Sequence, residues 1–175
     1  RAHARILSID TAEAEALETA GGIAKALPLL TDAHPSTPGQ VFLVVSGDIF
    51  CQYDYTRLRE RAQQLAAQAE PSMHLVMVPN PDFHPDGDFS LDAGGRLHFD
   101  HGPRLTFGNI GLYDYRLFAD LPPGTCRPMS PYYRAEIEAG RASGEFFGGW
   151  WENVGTPAQL AALDARLRAA PPQPT

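Results

Sequence analysis

Short apolar runs and stretches of helical periodicity alternate along the first half of the chain. The residues from Val41 to Val45 are all apolar, which is typical of a strand buried on both faces in a parallel sheet. A second apolar run, Met73–Val78, ends at a proline. Between the two runs, Asp54 can cap a helix that reaches about Ala69 and carries apolar residues on one face. This order predicts a strand, a helix and a second strand.

The following region predicts a hairpin, a third strand and a helix. Two short strand-like segments, Phe89–Leu91 and Arg96–Phe99, flank the glycine-containing turn Asp92–Gly95, which is typical of a β-hairpin. Leu105–Tyr113 predicts a strand that two glycines interrupt, and glycine inside a strand often marks close approach of a ligand. Pro131–Ala139 predicts a helix, because a proline starts it and a glycine follows it.

A capping box opens the last predicted helix. Thr156 and Gln159 stand three positions apart with Pro157 between them, and leucines at helical spacing follow. Strands that alternate with helices predict an α/β layered fold. We expect one domain over residues 1–170 and a disordered tail at residues 171–175.

The N-terminal region predicts a strand and a helix that follows a glycine pair. Ile6–Ile9 has the composition of a strand, and Gly21 and Gly22 precede the helical pattern of Ile23–Leu30. A glycine pair just before a helix lets backbone amides approach a flat or anionic ligand. Ordinary loop geometry is the alternative interpretation of the same pair.

Composition removes several classes of function. The chain of 175 residues has a net charge of −7 and scattered basic residues, which argues against nucleic acid or an anionic membrane as a partner. No apolar run has the length of a membrane span, and no signal-peptide pattern opens the sequence. Cys51 and Cys126 lack the spacing of a metal or redox site, so we expect reduced thiols in a cytoplasmic protein.

An acidic residue follows the first apolar run, where α/β sheets bind their ligands. Ser46 and Gly47 end the run and Asp48 comes next. Ligands of open α/β sheets lie just outside the carboxyl ends of the strands, so Asp48 is placed to meet a metal or a ribose hydroxyl. A turn acid after a core strand is the alternative. Glu145, between a glycine and two aromatic residues, is a further candidate for substrate contact.

Four segments together resemble the nucleotidyltransferase family that makes nucleoside-diphosphate sugars. They occur in the family's order and with its spacing, and they are Leu17–Ile23, Phe42–Asp48, Leu105–Tyr113 and Asn153–Pro157. The resemblance implies a Rossmann-like, GT-A-like α/β fold, in which helices flank a mixed sheet that lacks its N-terminal strands in this chain.

The resemblance also implies roles for single residues. The nucleobase and ribose pocket would be lined by Glu18, Thr19, Ala20, Gly21, Gly22 and Gly47. Asp48 would be the catalytic residue and would ligate Mg²⁺ beside the phosphates, with Asn153 at the position of a second metal ligand. Asn109 and Gly111 would face the sugar.

The implied reaction joins a nucleoside triphosphate to a sugar 1-phosphate. An oxygen of the sugar phosphate would attack the α-phosphorus and release pyrophosphate. The specific expectation is uridylyl transfer to N-acetylmuramate 1-phosphate in cell-wall sugar recycling. The alternatives are mannose 1-phosphate guanylyltransferase-type activity, a metal-dependent glycosyltransferase and a non-catalytic nucleotide-sugar-binding domain. Ile49 and Phe50 after Asp48 disfavour the glycosyltransferase, because that class usually has an Asp-x-Asp motif there.

Three departures from the family pattern limit this transfer of roles. Asn153 replaces an aspartate and brings no negative charge to a metal. The acid-lysine-proline motif of the sugar side is not visible between Leu91 and Leu105. The family's opening strand and glycine-rich triphosphate loop are also absent. We therefore expect these residues to be the C-terminal part of a longer polypeptide, inactive alone, whose missing N-terminal segment packs on this sheet.

Overall fold

The computed structural model describes residues 16–30 and 40–169, which form four α-helices, two short 3-10 helices and eight strands. The helices are α1 Glu18–Leu30, α2 Leu58–Ala66, α3 Ser130–Glu138 and α4 Pro157–Ala169. The strands are β1 Val41–Val45, β2 Ile49–Cys51, β3 Met73–Val78, β4 Phe89–Leu91, β5 Leu97–His98, β6 Arg104–Asp114, β7 Ala142–Phe146 and β8 Trp151–Asn153. The predicted strand at residues 6–9, nearly all of the loop at residues 31–40 and the tail at residues 171–175 lie outside the described residues.

The described strands form a mixed sheet around β6 and a separate two-stranded sheet. β6 runs antiparallel to β1, β3 and β4, whereas β3 runs parallel to β7. β2 pairs antiparallel with β8. This pairing brings the segment that follows β1 next to the segment that precedes α4. Helices lie on both faces of the larger sheet, and the α/β fold with a mixed sheet is confirmed.

The two faces of the sheet carry separate apolar cores. Alternate residues of β3, among them Met73, Leu75 and Met77, pack in the core beneath α1 and α3, whereas Val76 packs in the core beneath α2. This alternation follows from the two-residue period of a strand. β3 is buried along its whole length, as its continuous apolar run predicts.

The prediction that β1 is buried on both faces is wrong. Phe42 and Val44 pack against a core, but Leu43 and Val45 are 41% and 38% exposed. β1 pairs antiparallel with β6 on one edge, and the described residues place no strand on its other edge. A strand of this kind buries one face more fully than the other, and a short apolar run does not distinguish it from a parallel one.

The prediction that the glycine pair precedes a helix is also wrong. α1 begins at Glu18, so Gly21 lies inside its first turn. The amides of Ala20 and Gly21 both donate to the carbonyl oxygen of Arg127, at 3.0 Å and 3.2 Å. A Cβ on Gly21 would lie 2.2 Å from the carbonyl oxygen of Thr125, so glycine permits this close approach of the chain. A carbonyl from elsewhere in the fold thus satisfies amides that a helix start leaves unpaired.

Local signals in the second half of the sequence are confirmed. In the predicted hairpin Leu91 pairs with Leu97, and in the predicted capping box the amide of Gln159 donates to Thr156 Oγ1 at 3.2 Å. The amide of Thr156 donates in return to Gln159 Oε1 at 3.0 Å. None of the helices in the described part of the chain combines the length and hydrophobicity needed to cross a membrane.

Candidate active site

The small β2–β8 sheet brings Asp48 and Asn153 together from distant parts of the sequence. Ile49 pairs with Asn153, and the amide of Val154 donates to the carbonyl oxygen of Asp48 at 2.7 Å. A Cβ built on Gly155 would lie 3.5 Å from Asp48 Oδ2 and 3.1 Å from Asn153 Oδ1. The two side-chain oxygens therefore converge on one small space, which the absence of a side chain at Gly155 leaves open.

The two side-chain groups differ in the hydrogen bonds that they accept from the protein. Asn153 Oδ1 accepts a hydrogen bond from the amide of Gly155 at 2.9 Å, which orients the amide group. The exposed Asp48 carboxylate makes no hydrogen bond or ion pair with any residue that the structure describes. An exposed carboxylate next to an oriented amide oxygen has acceptor capacity left for a ligand.

This donor set fits a hard divalent cation that shares its coordination with a substrate. Carboxylate and amide oxygens are the protein ligands that Mg²⁺ takes, and Mg²⁺ is commonly held by one or two protein groups together with substrate phosphates and water. Within residues 16–30 and 40–169, no group of three or more His, Cys, Asp or Glu side chains could hold a metal by itself. Asp48 and Asn153 thus fit the role of partial ligands.

Asn109 occupies a strained position at the edge of the same region. It lies in a bulge of β6, where the pairing with β3 shifts register, and its φ of 57° is in the left-handed region. Its carbonyl oxygen accepts from the amide of Ser46 at 3.1 Å, just before Asp48. Trp151 Nε1 donates to the carbonyl of the adjacent Gly108 at 2.8 Å. Strained backbone of this kind is concentrated at functional sites.

A cleft of about 230 Å³ lies between α1, β1, β6 and α3, and we call it the central cleft. Its lining includes Thr19 and Asn109, two of the residues assigned by resemblance. The hydroxyl oxygens of Tyr113 and Tyr133 lie 3.2 Å apart in its wall, and burial raises the pKa of Tyr133 to about 12. Both hydroxyls are therefore neutral hydrogen-bonding groups. The lining residues are Thr19, Val44, Ser46, Phe107, Asn109, Tyr113, Met129 and Tyr133.

Four further residues assigned by resemblance, Glu18, Gly22, Gly47 and Gly111, are not among the residues that line this cleft. Glu18 is exposed at the start of α1 with a φ of 60°, and Gly22 is half-buried in the same helix. A Cβ on Gly47 would meet no atom of the described chain within 4 Å. The ring of Tyr113 fills the space over Gly111, with its hydroxyl oxygen 2.6 Å from the position of a Cβ. Gly111 therefore makes room for Tyr113, which lines the cleft.

A second cavity, of about 220 Å³, begins at Asn153 and extends along α4; we call it the α4 pocket. The loop after β3 forms its other wall. Sequence reasoning did not find this pocket, because its residues come from a loop, a strand and a helix that are far apart in the chain. The lining residues are Pro81, Phe83, Trp151, Glu152, Asn153, Gln159, Ala162 and Arg166.

Glu145 belongs to a hydrogen-bonded group on the α2 face of the sheet, which we call the Glu145 network. Its carboxylate accepts from the hydroxyl of Tyr53 at 2.8 Å, lies 3.3 Å from the Arg57 guanidinium, and lies 3.4 Å from Nε2 of His74. His74 Nδ1 is 2.9 Å from the hydroxyl of Ser143. Burial lowers the pKa of His74 to about 4. The sequence suggested substrate contact for Glu145, whereas its oxygens contact protein side chains.

Comparison with known proteins relates most of the chain to sugar-phosphate nucleotidyltransferases. No family model matches it. Over 151 residues it is 40% identical to N-acetylmuramate alpha-1-phosphate uridylyltransferase of Neisseria meningitidis serogroup B, covering 85% of this chain and 62% of that protein. The protein of the same name from Caulobacter vibrioides is 30% identical over 167 residues, covering 89% of this chain and 64% of the relative.

Solved structures share the fold at low sequence identity. HddC from Yersinia pseudotuberculosis, complexed with GMP-PN, superposes with a TM-score of 0.63 at 16% identity, covering 89% of this chain and 64% of that one. A Bacillus anthracis protein described as a glucose-1-phosphate thymidylyltransferase gives a TM-score of 0.65 at 15% identity, covering 93% and 65%. The chain spans less than two thirds of the length of each of these proteins. Its sequence relatives and its fold agree, and both relate the chain to the sugar 1-phosphate nucleotidyltransferases.

Proposed function

We propose that the full-length protein containing this chain transfers a uridylyl group from UTP to N-acetylmuramate 1-phosphate and releases pyrophosphate. The observation that carries this proposal is the 40% identity to a uridylyltransferase of that specificity over 85% of the chain. The convergence of Asp48 and Asn153 supports it, as does Ser46, which lies two residues before Asp48 and lines the central cleft. The activity is assigned to the whole protein because the chain spans 62% of that relative.

In this proposal, Asp48 and Asn153 would be the protein ligands of Mg²⁺, which would supply positive charge for the phosphates of the nucleotide. A bound divalent cation neutralises phosphate charge and orients the reacting groups, which is most of what phosphoryl transfer requires from an enzyme. Asp48 contributes a full negative charge, and the Asn153 oxygen is oriented by the amide of Gly155. The open position at Gly155 leaves room for substrate oxygens between the two side chains.

The central cleft would bind the nucleoside and the sugar on opposite sides of the reacting phosphate. Thr19, at the start of α1, lies on the nucleoside side together with its neighbours Glu18 and Gly22. Asn109 and Tyr133 offer an amide and a hydroxyl to the sugar side. The sugar 1-phosphate oxygen then attacks the α-phosphorus, the bond to the β-phosphate oxygen breaks, and pyrophosphate leaves. The product is a uridine diphosphate sugar, which suits reuse of cell-wall sugars in the cytoplasm.

The test is a substrate matrix with the purified full-length protein and Mg²⁺. UTP, GTP and dTTP are each combined with N-acetylmuramate 1-phosphate, N-acetylglucosamine 1-phosphate and mannose 1-phosphate, and pyrophosphate release and products are measured. We expect the highest kcat/KM with UTP and N-acetylmuramate 1-phosphate. A preference for GTP with mannose 1-phosphate would favour the guanylyltransferase alternative. Nucleotide binding without turnover in every combination would contradict an enzymatic function.

A further inference from the structure

The α4 pocket is separate from the central cleft and begins at Asn153, one of the two candidate metal ligands. The two cavities share no lining residue, and Asn153 belongs to the α4 pocket. Trp151 lines the α4 pocket while its indole N–H donates to Gly108, next to Asn109 of the central cleft. A ligand whose phosphate lies at Asp48 and Asn153 therefore has space to extend toward α4.

The pocket combines two aromatic side chains with polar groups on one face of α4. Phe83, on the loop after β3, is 61% exposed and faces the pocket with Trp151. Gln159, Ala162 and Arg166 are spaced three and four residues apart, so the period of the helix places them on the same side. A carbohydrate substituent that is partly apolar and ends in a charge matches this lining.

Arg166 is the cation of the pocket and it is held in place from two sides. Its Nη2 donates to Glu152 Oε2, and its guanidinium lies 5.9 Å from the centre of the Trp150 ring. Glu152 is itself oriented, because its Oε1 accepts from the indole N–H of Trp150. A guanidinium has five N–H donors, so the bond to Glu152 leaves others for a second acceptor, and the Arg166 side chain is 54% exposed.

The charge balance of the pocket permits a ligand carboxylate. Glu152 is its one acidic lining residue and is paired with Arg166. At residue 153 the chain has asparagine, so no second carboxylate stands in the wall to repel an anion. An arginine presents a planar pair of donors that matches a carboxylate.

We propose that the α4 pocket is a subsite for the carboxylate-bearing substituent of the acceptor sugar, with Arg166 as the group that recognises the carboxylate. This inference rests on the proposed uridylyl transfer. N-acetylmuramate 1-phosphate carries a lactyl ether, with one methyl and one carboxylate, that N-acetylglucosamine 1-phosphate lacks. The methyl would contact Phe83 and Trp151, and the carboxylate would accept from Arg166.

The test compares the two acceptors with UTP in the full-length protein. For Arg166→Met we expect kcat/KM with N-acetylmuramate 1-phosphate to fall about 10-fold or more, mainly through KM, because a charge-assisted hydrogen bond is lost. The value with N-acetylglucosamine 1-phosphate should stay within about twofold of wild type, since that acceptor has no carboxylate. Arg166→Lys should restore part of the preference, because it keeps the charge without the planar donor pair.

Two further variants distinguish recognition of the carboxylate by Arg166 from a purely structural role of its ion pair with Glu152. Glu152→Gln removes the carboxylate that competes for Arg166, so we expect the preference for N-acetylmuramate 1-phosphate to increase, whereas Arg166→Met decreases it. Arg168→Met is the matched control, because Arg168 pairs with Asp164 outside the pocket, and it should leave the preference unchanged.

The outcomes distinguish this inference from the proposed function. Wild-type turnover with an unchanged preference in Arg166→Met would overturn the subsite and leave uridylyl transfer standing. An equal loss for both acceptors in both Arg166→Met and Glu152→Gln would also overturn it, because a structural ion pair predicts that result. Absence of wild-type turnover with UTP and either acceptor would overturn the proposed function and this inference with it.

Discussion

The Glu145 network and the Asp48–Asn153 pair are both polar groups at the sheet, but they use their hydrogen-bonding capacity in opposite ways. In the network, Glu145 contacts Tyr53, Arg57 and His74, so protein groups occupy its oxygens. In the pair, the Asp48 carboxylate has no partner among the described residues. A buried polar group must be paired to be tolerated, whereas an unpaired exposed carboxylate costs little in water.

The contrast assigns stability to the Glu145 network and ligand binding to the Asp48–Asn153 pair. Tyr53 and Arg57 follow β2, and Glu145 lies on β7, so the network ties the segment after Asp48 to the main sheet. The network therefore helps to hold the segment that follows Asp48, whereas the Asp48 carboxylate is exposed to solvent. We expect substitutions in the network to change stability and substitutions in the pair to change turnover.

The largest effect is expected for Asp48→Asn in the full-length protein. The variant removes the only full charge of the pair. Transition-state stabilisation by a metal ion that this charge helps to hold is worth several kcal/mol, so kcat/KM should fall about 1,000-fold. Its free energy of unfolding should stay within about 0.5 kcal/mol of wild type, because the residue is exposed. Pyrophosphate release and urea unfolding give the two quantities. Asp164→Asn, an exposed acid on α4, is the control and should retain full turnover.

The next largest effect is a pH dependence of stability that originates at His74. Burial lowers its pKa to about 4 in the folded protein from an ordinary value of 6.5, so the unfolded chain binds the proton more readily between these values. The contribution is fully present above about pH 6.5 and falls by about 3 kcal/mol as the pH drops to about 4.

His74→Gln should remove this part of the pH dependence, since glutamine does not titrate. Urea unfolding at several pH values between 4 and 7 measures it for wild type and variant. His101→Gln changes an exposed histidine and should keep the wild-type dependence. Parallel curves for wild type and His74→Gln would show that His74 is not the group responsible.

Glu145→Ala is expected to destabilise the protein by about 2 kcal/mol, because it removes a charged acceptor from Tyr53 and His74. Thermal or urea unfolding of the full-length protein measures this loss. Glu138→Ala removes an exposed carboxylate paired with Arg134 and should cost less than about 0.5 kcal/mol. If Glu145→Ala kept wild-type stability and lost turnover, Glu145 would belong with the site and not with the scaffold.

The smallest effect is expected for Asn153→Asp. The added charge should lower the Mg²⁺ concentration for half-maximal turnover roughly fivefold, because ligand charge strengthens binding of a hard cation. A titration of initial rate against Mg²⁺ measures it, and Glu152→Gln, which changes the neighbouring side chain, should not lower that concentration. A higher Mg²⁺ requirement in Asn153→Asp would place residue 153 outside the metal shell.

Local sequence patterns predicted the elements that local interactions determine. The hairpin at Asp92–Gly95 and the capping box at Thr156 are confirmed, because the turn and cap residues act within a few positions of the chain. The start of α1 was predicted too late, since its first-turn amides bond to the carbonyl of Arg127, more than a hundred residues away in sequence. The spacing of apolar residues in the sequence carries no information about that distant contact.

The candidate site was predictable only in part, for the same reason. Asp48 stands out in the sequence because it follows the end of an apolar run after Ser46 and Gly47. Its approach to Asn153, however, depends on the pairing of two three-residue strands, β2 and β8. Neither strand is long enough to show a periodic pattern. The family resemblance supplied Asn153 and Asn109, and the strained backbone of Asn109 has no sequence signal beyond an asparagine next to a glycine.

Binding of Mn²⁺ to the full-length protein with a uridine nucleotide, measured by electron paramagnetic resonance, tests whether Asp48 and Asn153 are an open cation site and whether the Glu145 network is scaffold. We predict that Asp48→Asn abolishes nucleotide-dependent Mn²⁺ binding, whereas folded Glu145→Gln binds Mn²⁺ as wild type does. Unchanged Mn²⁺ binding in Asp48→Asn would show that Asp48 is not a ligand of the cation.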